Sequence, residues 1–222
     1  MKIAMLGNGK MGKKIKELAK KRGHDIVCVA NSKNPGKSIN LKMADVAIDF
    51  STPNTAFDNI SNAINNRIPV VSGTTAWLQK LEKINELCKK KEGAFLYAPN
   101  FSLGVNIFFE INRKLALLMH KHNYQNEIYE VHHSKKIDNP SGTAIYLAKQ
   151  ISEIYKKEPN INSERTGNIA GIHEVKYTSN IDEILIKHTA NNRDGFAIGA
   201  IIAAEWIIGK KGIYGLQDIL NE

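Results

Sequence analysis

Two short stretches of this chain hold residue types that carry chemistry, at spacings that can use them. The first is Glu130-Val131-His132-His133-Ser134-Lys135-Lys136-Ile137-Asp138-Asn139-Pro140-Ser141-Gly142-Thr143-Ala144. Neighbouring side chains on a strand point to opposite faces, so His132 and His133 serve one cleft only where the strand ends. The Ser134-Lys135-Lys136 that follows supports such an ending, and Lys136 then reaches back from the loop as a second proton carrier. Pro140-Ser141-Gly142-Thr143 reads as a turn feeding a helix, with Ser141 or Thr143 as its cap and exposed N–H groups near Gly142 able to hold a carboxylate. A proton relay beside an anion cradle suits reduction of an anionic, conjugated imine-like substrate. The plainer readings, an ordinary surface or core histidine and a simple helix cap, stand beside it, because spacing alone does not decide. No metal site is expected: there is no His-Glu-x-x-His, and His173 and His188 fall on separate predicted strands.

The second stretch is Gly7-Asn8-Gly9-Lys10-Met11-Gly12, a G-x-G-x-x-G between a predicted strand and a predicted helix. Gly7 permits the tight turn, Gly9 lets the backbone approach a pyrophosphate, and Gly12 allows helix and strand to pack closely. The helix then presents unpaired N–H groups and its positive dipole end to the phosphates. The alternative is a tight strand–helix turn without a ligand. Nucleotide choice is read at the end of the second strand, where NAD-specific sites often carry Asp or Glu. Here the residues are Ala30-Asn31-Ser32-Lys33, with no carboxylate to repel a 2′-phosphate and with Lys33 available to pair with one. NADPH is therefore expected to be accepted, beside or instead of NADH. The alternative is that Lys33 is only an exposed loop lysine.

These residues must be positioned by the elements around them. In the first half, apolar runs at Ile3–Leu6, Asp25–Ala30, Val46–Phe50, Pro69–Ser72 and Ala94–Tyr97 alternate with helical patterns at Met11–Arg22, Asn54–Asn66 and Trp77–Lys91. Short, almost wholly apolar strands alternating with helices indicate a parallel sheet covered on both faces, a Rossmann-type α/β domain. In the second half, predicted helices at Val105–Met119 and Thr143–Ile154 accompany predicted strands at Glu127–His133, Ile172–Tyr177 and Glu183–His188, an α+β pattern. The apolar helix Phe196–Ile208 needs a large partner surface and is expected to return to the first domain or to sit at a subunit contact. The expected division is a dinucleotide-binding domain over 1–103, joined by 193–222, and a substrate-binding and oligomerisation domain over 104–192.

The chain has 222 residues, 42% hydrophobic and 24% charged, as in an ordinary soluble globular protein. No apolar run is long enough to span a membrane, and the N-terminus lacks the layout of a signal peptide. Cys28 and Cys88 fit no zinc or redox spacing and read as buried thiols in a reducing cytoplasm. The net charge of +9, from 31 Lys+Arg against 22 Asp+Glu, is spread over short runs without interleaved aromatics. No nucleic-acid partner is expected from that pattern, whereas anionic small molecules are favoured.

The stretch His132-His133-Ser134-Lys135-Lys136-Ile137-Asp138-Asn139-Pro140-Ser141-Gly142-Thr143-Ala144 resembles the H-H-x-x-K-x-D-x-P-S-G-T-A signature of the dihydrodipicolinate reductases. The resemblance extends over nearly the whole chain, through Asp49-Phe50-Ser51, Gly73-Thr74-Thr75, Ala98 to Asn106, Arg165-Thr166-Gly167, Gly171 to Val175 and Arg193 to Ala200. The phosphate turn is one residue shorter than that family's common form, and Lys10 stands where the family carries arginine. The resemblance implies His132 as acid–base histidine, Lys136 as proton donor, and His133, Gly142 and Thr143 as substrate contacts. It implies cofactor contacts at Gly7, Asn8, Gly9, Lys10, Met11 and Gly12, at Gly73, Thr74 and Thr75, and at Ala98, Pro99, Asn100 and Phe101. It further implies a nicotinamide cofactor, a small dicarboxylate substrate and a homotetramer. The alternatives are a different Rossmann-fold oxidoreductase acting on another small anionic carbonyl or imine, and a non-catalytic nucleotide-sensing module.

Overall fold

The structure, a computed structural model, describes residues 1–31, 34 and 39–222. Lys33, the residue expected to read the nucleotide 2′ position, lies outside the described residues. The chain forms two compact units, Met1–Leu103 with Asp194–Glu222, and Gly104–Arg193.

The first unit is built on six parallel strands: β1 (Lys2–Leu6), β2 (Asp25–Ala30), β3 (Val46–Asp49), β4 (Val70–Ser72), β5 (Ala94–Tyr97) and β10 (Gly212–Tyr214). Their spatial order is β10-β5-β4-β3-β1-β2. After β2 the chain crosses back to the other side of β1, so the direction of winding reverses between β1 and β3. Open α/β sheets bind ligands outside the carboxyl ends of the strands at such a reversal. Side chains alternate between two cores, as the period of a strand requires. Ile3, Met5, Val46 and Ile48 face α1 (Lys10–Lys21) and α6 (Asp194–Ile207). Ala4, Leu6 and Ala47 face α2 (Pro53–Asn65) and α3 (Leu81–Lys91). Both faces are thus covered, which is why these strands are apolar throughout.

The sequence pattern at Trp77–Lys91 resolves into two pieces, a single 3-10 turn at Leu78–Lys80 and then α3. Trp77, just before that turn, is fully buried, with edge-on contacts to Phe95 and Tyr97. The strand β10 has no counterpart in the sequence reading, since three residues among glycines and lysines carry no periodic signal. Cys88 is buried as expected, but Cys28 is only half-buried, because β2 lies at the edge of the sheet. Helix α6 is apolar nearly all round and joins the core shared with α1; at Gly199 a Cβ would stand 1.7 Å from the Phe101 carbonyl oxygen.

The second unit has four strands, in the order β7-β6-β8-β9: β6 (Gln125–His132), β7 (Asn160–Arg165), β8 (Gly171–Thr178) and β9 (Glu183–Ala190). Helices α4 (Leu103–Met119) and α5 (Gly142–Tyr155) supply its core with Phe108, Phe109, Leu147 and Ile151, against Ile128, Val175 and Tyr177 from the sheet. Pairs β6–β8 and β8–β9 are antiparallel, as the alternation of their sequences suggests. Strand β7 is the exception. It pairs parallel to β6, with α5 as the crossover that parallel neighbours require, and its polar sequence Asn160-Ile161-Asn162-Ser163-Glu164-Arg165 hides it from pattern reading.

Candidate active site

Between β1 and α1 the three glycines of the turn differ in what surrounds them. Gly7 has φ +127°, and a Cβ there would lie 2.1 Å from the Phe50 carbonyl oxygen at the end of β3. At Gly12 a Cβ would lie 2.3 Å from the Gly7 carbonyl oxygen, so helix and turn approach as closely as the backbone allows. Gly9, the N-cap of α1, has open space where its side chain would be. No acidic residue occupies the first turn of α1, and no side chain caps it. A pyrophosphate fits this cradle: donors point outward, nothing competes for them, and the approach is clear. Of the remaining turn residues, Asn8 accepts from Lys16 Nζ at 2.7 Å, Lys10 is exposed and Met11 is half-buried.

Beside the turn, Asp49 organises the loops that follow β3 and β4. Its carboxylate is wholly buried and accepts from Ser51 Oγ, Asn59 Nδ2, Ser72 Oγ and Thr74 Oγ1 at 2.7 to 3.0 Å. Burial pushes the Asp49 carboxyl upward against the opposing pull of these donors. Thr74 is therefore turned inward, its carbonyl held by Trp77 Nε1 at 2.6 Å, while Thr75 is exposed. The Phe50 ring lies over Gly73, where a Cβ would stand 2.3 Å from it, and against Phe101 at 5.5 Å between centroids. Ala98 and Phe101 are buried, Pro99 is exposed, and Asn100 accepts from the Ser102 N–H at 2.8 Å. The Gly73–Thr75 and Ala98–Phe101 segments thus stand at the carboxyl ends of neighbouring strands β4 and β5. Only some of their side chains face outward.

In the second unit, strand register assembles a polar row on the covered face of the sheet. Glu130 pairs across from His173, His132 from Arg165, and His173 from His188. Strand β6 ends at His132, which is buried; His133 beyond it is half-buried. The Nδ1 of His132 is hydrogen-bonded to Glu130 Oε2. The other Glu130 oxygen accepts from Arg165 Nη2 at 2.8 Å and from the Ser141 N–H at 3.2 Å. Burial alone would raise the Glu130 carboxyl, but these donors outweigh it and hold the pKa at about 2. Burial lowers the pKa of His132, and the Glu130 charge partly restores it. Burial, with His132 nearby, lowers His173 to about 3, so it is neutral at physiological pH. Its Nε2 meets Ser141 Oγ at 3.2 Å.

Glu130, His132 and His173 offer donor atoms within 4.8 Å of one another. Separate strands therefore bring the histidines together rather than keep them apart, since cross-strand partners are neighbours. Both oxygens of the carboxylate are nonetheless taken by protein donors, and Arg165 already supplies the positive charge that an ion would bring. The cluster is a hydrogen-bonded one.

Ser141 caps α5, accepting from the Ala144 N–H at 3.2 Å, and it also touches Glu130 and His173. The head of α5, with exposed Gly142 and half-buried Thr143, is thereby tied to the histidine cluster. Lys136 does not reach His132 directly. Its amine is held by both Asp138 oxygens at 2.7 and 2.9 Å, and the Gly142 N–H also serves that carboxylate. The pairing with Lys136 and that N–H hold the Asp138 carboxyl below its usual range. Lys136 and the start of α5 thus already hold an anion, supplied by the chain itself. Sequence reasoning assigned no role to Glu130, Arg165 or His173 within this cluster. The period-2 relation of Glu130 to His132 was its one local signal, and the others depend on register.

Residues 1–101 match the family described as "Dihydrodipicolinate reductase, N-terminus", and residues 104–220 match "Dihydrodipicolinate reductase, C-terminus". The chain is 47% identical to the 4-hydroxy-tetrahydrodipicolinate reductase of Christiangramia forsetii, covering 100% of this chain and 98% of that one. It is 37% identical to the enzyme of the same name from Thermosipho africanus, covering 100% and 99%. The fold matches that of the dipicolinate-bound dihydrodipicolinate reductase from Paenisporosarcina sp. TG-14 with a TM-score of 0.85 at 23% identity, over 99% of each chain. With both of its units matched and relatives aligned from end to end, this chain belongs to the dihydrodipicolinate reductase family.

Proposed function

We propose that the chain reduces 4-hydroxy-tetrahydrodipicolinate, through its dehydrated form dihydrodipicolinate, to tetrahydrodipicolinate with NADPH or NADH. The observation that supports this most is local. A histidine bonded to an ionised carboxylate is tied through Ser141 to the head of a helix that binds anions, with a lysine beside it. An anionic substrate that gains an electron pair needs that combination: a proton donor, a positive charge and a carboxylate cradle. The nicotinamide, when bound, supplies the hydride.

The residues of this chain do the rest. The turn Gly7 to Gly12, with Asn8, Lys10 and Met11, holds the pyrophosphate on the N–H groups of α1. Gly73–Thr75 and Ala98–Phe101 border the cofactor from β4 and β5. His133, Gly142 and Thr143 hold the substrate carboxylates, the last two by their N–H groups in the first turn of α5. Lys136 leaves Asp138 to act as the proton donor to the substrate, and His132 serves beside it as the acid–base histidine. With no carboxylate at the end of β2, Lys33 favours a 2′-phosphate, so Lys33→Asp weakens NADPH more than NADH. An unaltered preference in titrations with both nucleotides would remove that assignment. The expected homotetramer is supported by exposed apolar side chains of the second unit, among them Leu118, Ile184 and Leu185, and light scattering tests it.

A coupled assay with the product of dihydrodipicolinate synthase, run separately with NADH and NADPH, tests the reaction. Turnover with at least one nucleotide is expected. Cofactor binding without turnover would support the nucleotide-sensing alternative, and turnover only with another carbonyl or imine would support a different reductase.

A further inference from the structure

We propose that Glu130 is a positioning residue for proton transfer: it fixes the His132 proton on Nδ1 and leaves Nε2 as the nitrogen that exchanges a proton with substrate. This rests on the reading of His132 as the acid–base histidine. The geometry shows how the carboxylate is made to do this. Glu130 is wholly buried on the same face of β6 as His132, and it approaches Nδ1 with one oxygen. The other oxygen is fixed from two further elements, by Arg165 of β7 and by the N–H of Ser141 ahead of α5. A carboxylate clamped on three sides cannot turn away, and it stays ionised because its donors favour the charged form. An ionised carboxylate only accepts, so Nδ1 must donate to it in both protonation states of the ring.

Gly171 stands beside the opposite nitrogen: a Cβ there would lie 3.0 Å from His132 Nε2, so any side chain at this position would crowd that atom. Four charged or titratable groups surround the ring: Glu130 on its own strand, Arg165 on β7, His173 on β8 and Lys136 in the following loop. His188 on β9 stands beyond His173, with ring centroids 6.5 Å apart. The cations disfavour the imidazolium and His173 is neutral. Glu130 is then the one group of this set that favours a charged, proton-donating His132.

The test joins spectroscopy with kinetics. In the native protein, 15N shifts of His132 should show the neutral ring protonated on Nδ1; a neutral ring protonated on Nε2 overturns the proposal without any variant. In Glu130→Gln, the fall of kcat/KM with rising pH that reports His132 should begin about one pH unit lower, with turnover down roughly tenfold or more. The ring should also lose its fixed tautomer. A Glu130→Gln protein that is less stable yet keeps the native pH profile and tautomer would show a purely structural carboxylate and overturn the proposal. His132→Asn separates the two layers. Native turnover in that variant removes the reading of His132 itself. An inactive His132→Asn beside an unperturbed Glu130→Gln removes only the role of Glu130.

Discussion

Lys136, the proposed proton donor, is engaged by the chain's own carboxylate. Its amine is bound by Asp138 at 2.7 and 2.9 Å, an exposed pairing of modest strength that a substrate carboxylate can replace. Lys136→Ala is expected to lower turnover at least about tenfold, the range of a lost acid–base group, while cofactor affinity barely changes. Equal turnover in a steady-state assay would end the proposed role. Gly171→Ala should act differently, because the added methyl would crowd His132 Nε2 and the residue has φ +159°. Turnover should fall while nucleotide binding, measured by fluorescence titration, is retained; native turnover would mean that Nε2 is not the working nitrogen. Much of this site was legible locally: His132, Lys136 and the Ser141 turn lie within ten residues. Arg165 and His173 were not, because their part in the cluster depends on strand register.

Two helix starts are the proposed ligand-binding positions, and each suggests a separable test. In α1, Gly9 and Gly12 share a motif but not an environment. Gly9→Ala meets no atom within 4 Å, so its thermal midpoint should stay near native while nucleotide affinity drops about tenfold through obstruction of the phosphates. Gly12→Ala drives a Cβ to 2.3 Å from a backbone oxygen, so it should lose both stability and affinity. If the two variants melt and bind alike, the assignment of separate roles fails. In α5, Ser141→Ala removes a cap worth about 1 kcal/mol. It also frees His173 Nε2 from its partner, so the loss in chemical denaturation should exceed that of a cap alone. A loss within a few tenths of a kcal/mol of the cap's own value would show that the contact with His173 contributes nothing.

At the scale of the molecule, the buried polar row makes stability depend on pH in a defined direction. His173 falls from 6.5 to about 3 on burial, so its contribution is complete above 6.5 and is lost as pH falls toward 3. Glu130 is lowered from 4.5 to about 2, so its contribution is present above 4.5 and is lost as pH falls toward 2. Both act in the same sense, and denaturation midpoints should decline steadily below pH 6.5. His173→Gln should flatten the upper part of that decline. An unchanged slope between pH 6.5 and 4.5 would mean that His173 is not the group responsible. The charge of +9 is consistent with anionic ligands, and no helix among the described residues is long and apolar enough to cross a membrane.

The amino-acid sequence alone determined the class of the two halves, and it marked the glycine turn and the His132–Lys136 stretch as candidates for phosphate binding and proton transfer, because hydrophobic period, glycine spacing and short motifs are local properties. It left β7 and β10 unseen, since a polar or very short strand exists only through its neighbour's hydrogen bonds. It likewise could not say that Thr74 turns inward to Asp49, that Lys136 rests on Asp138, or that Glu130 is clamped by Arg165 and Ser141. The surroundings of Asp49 and Glu130 depend on which strands pair and in what register, and register is decided by the packing of the whole sheet.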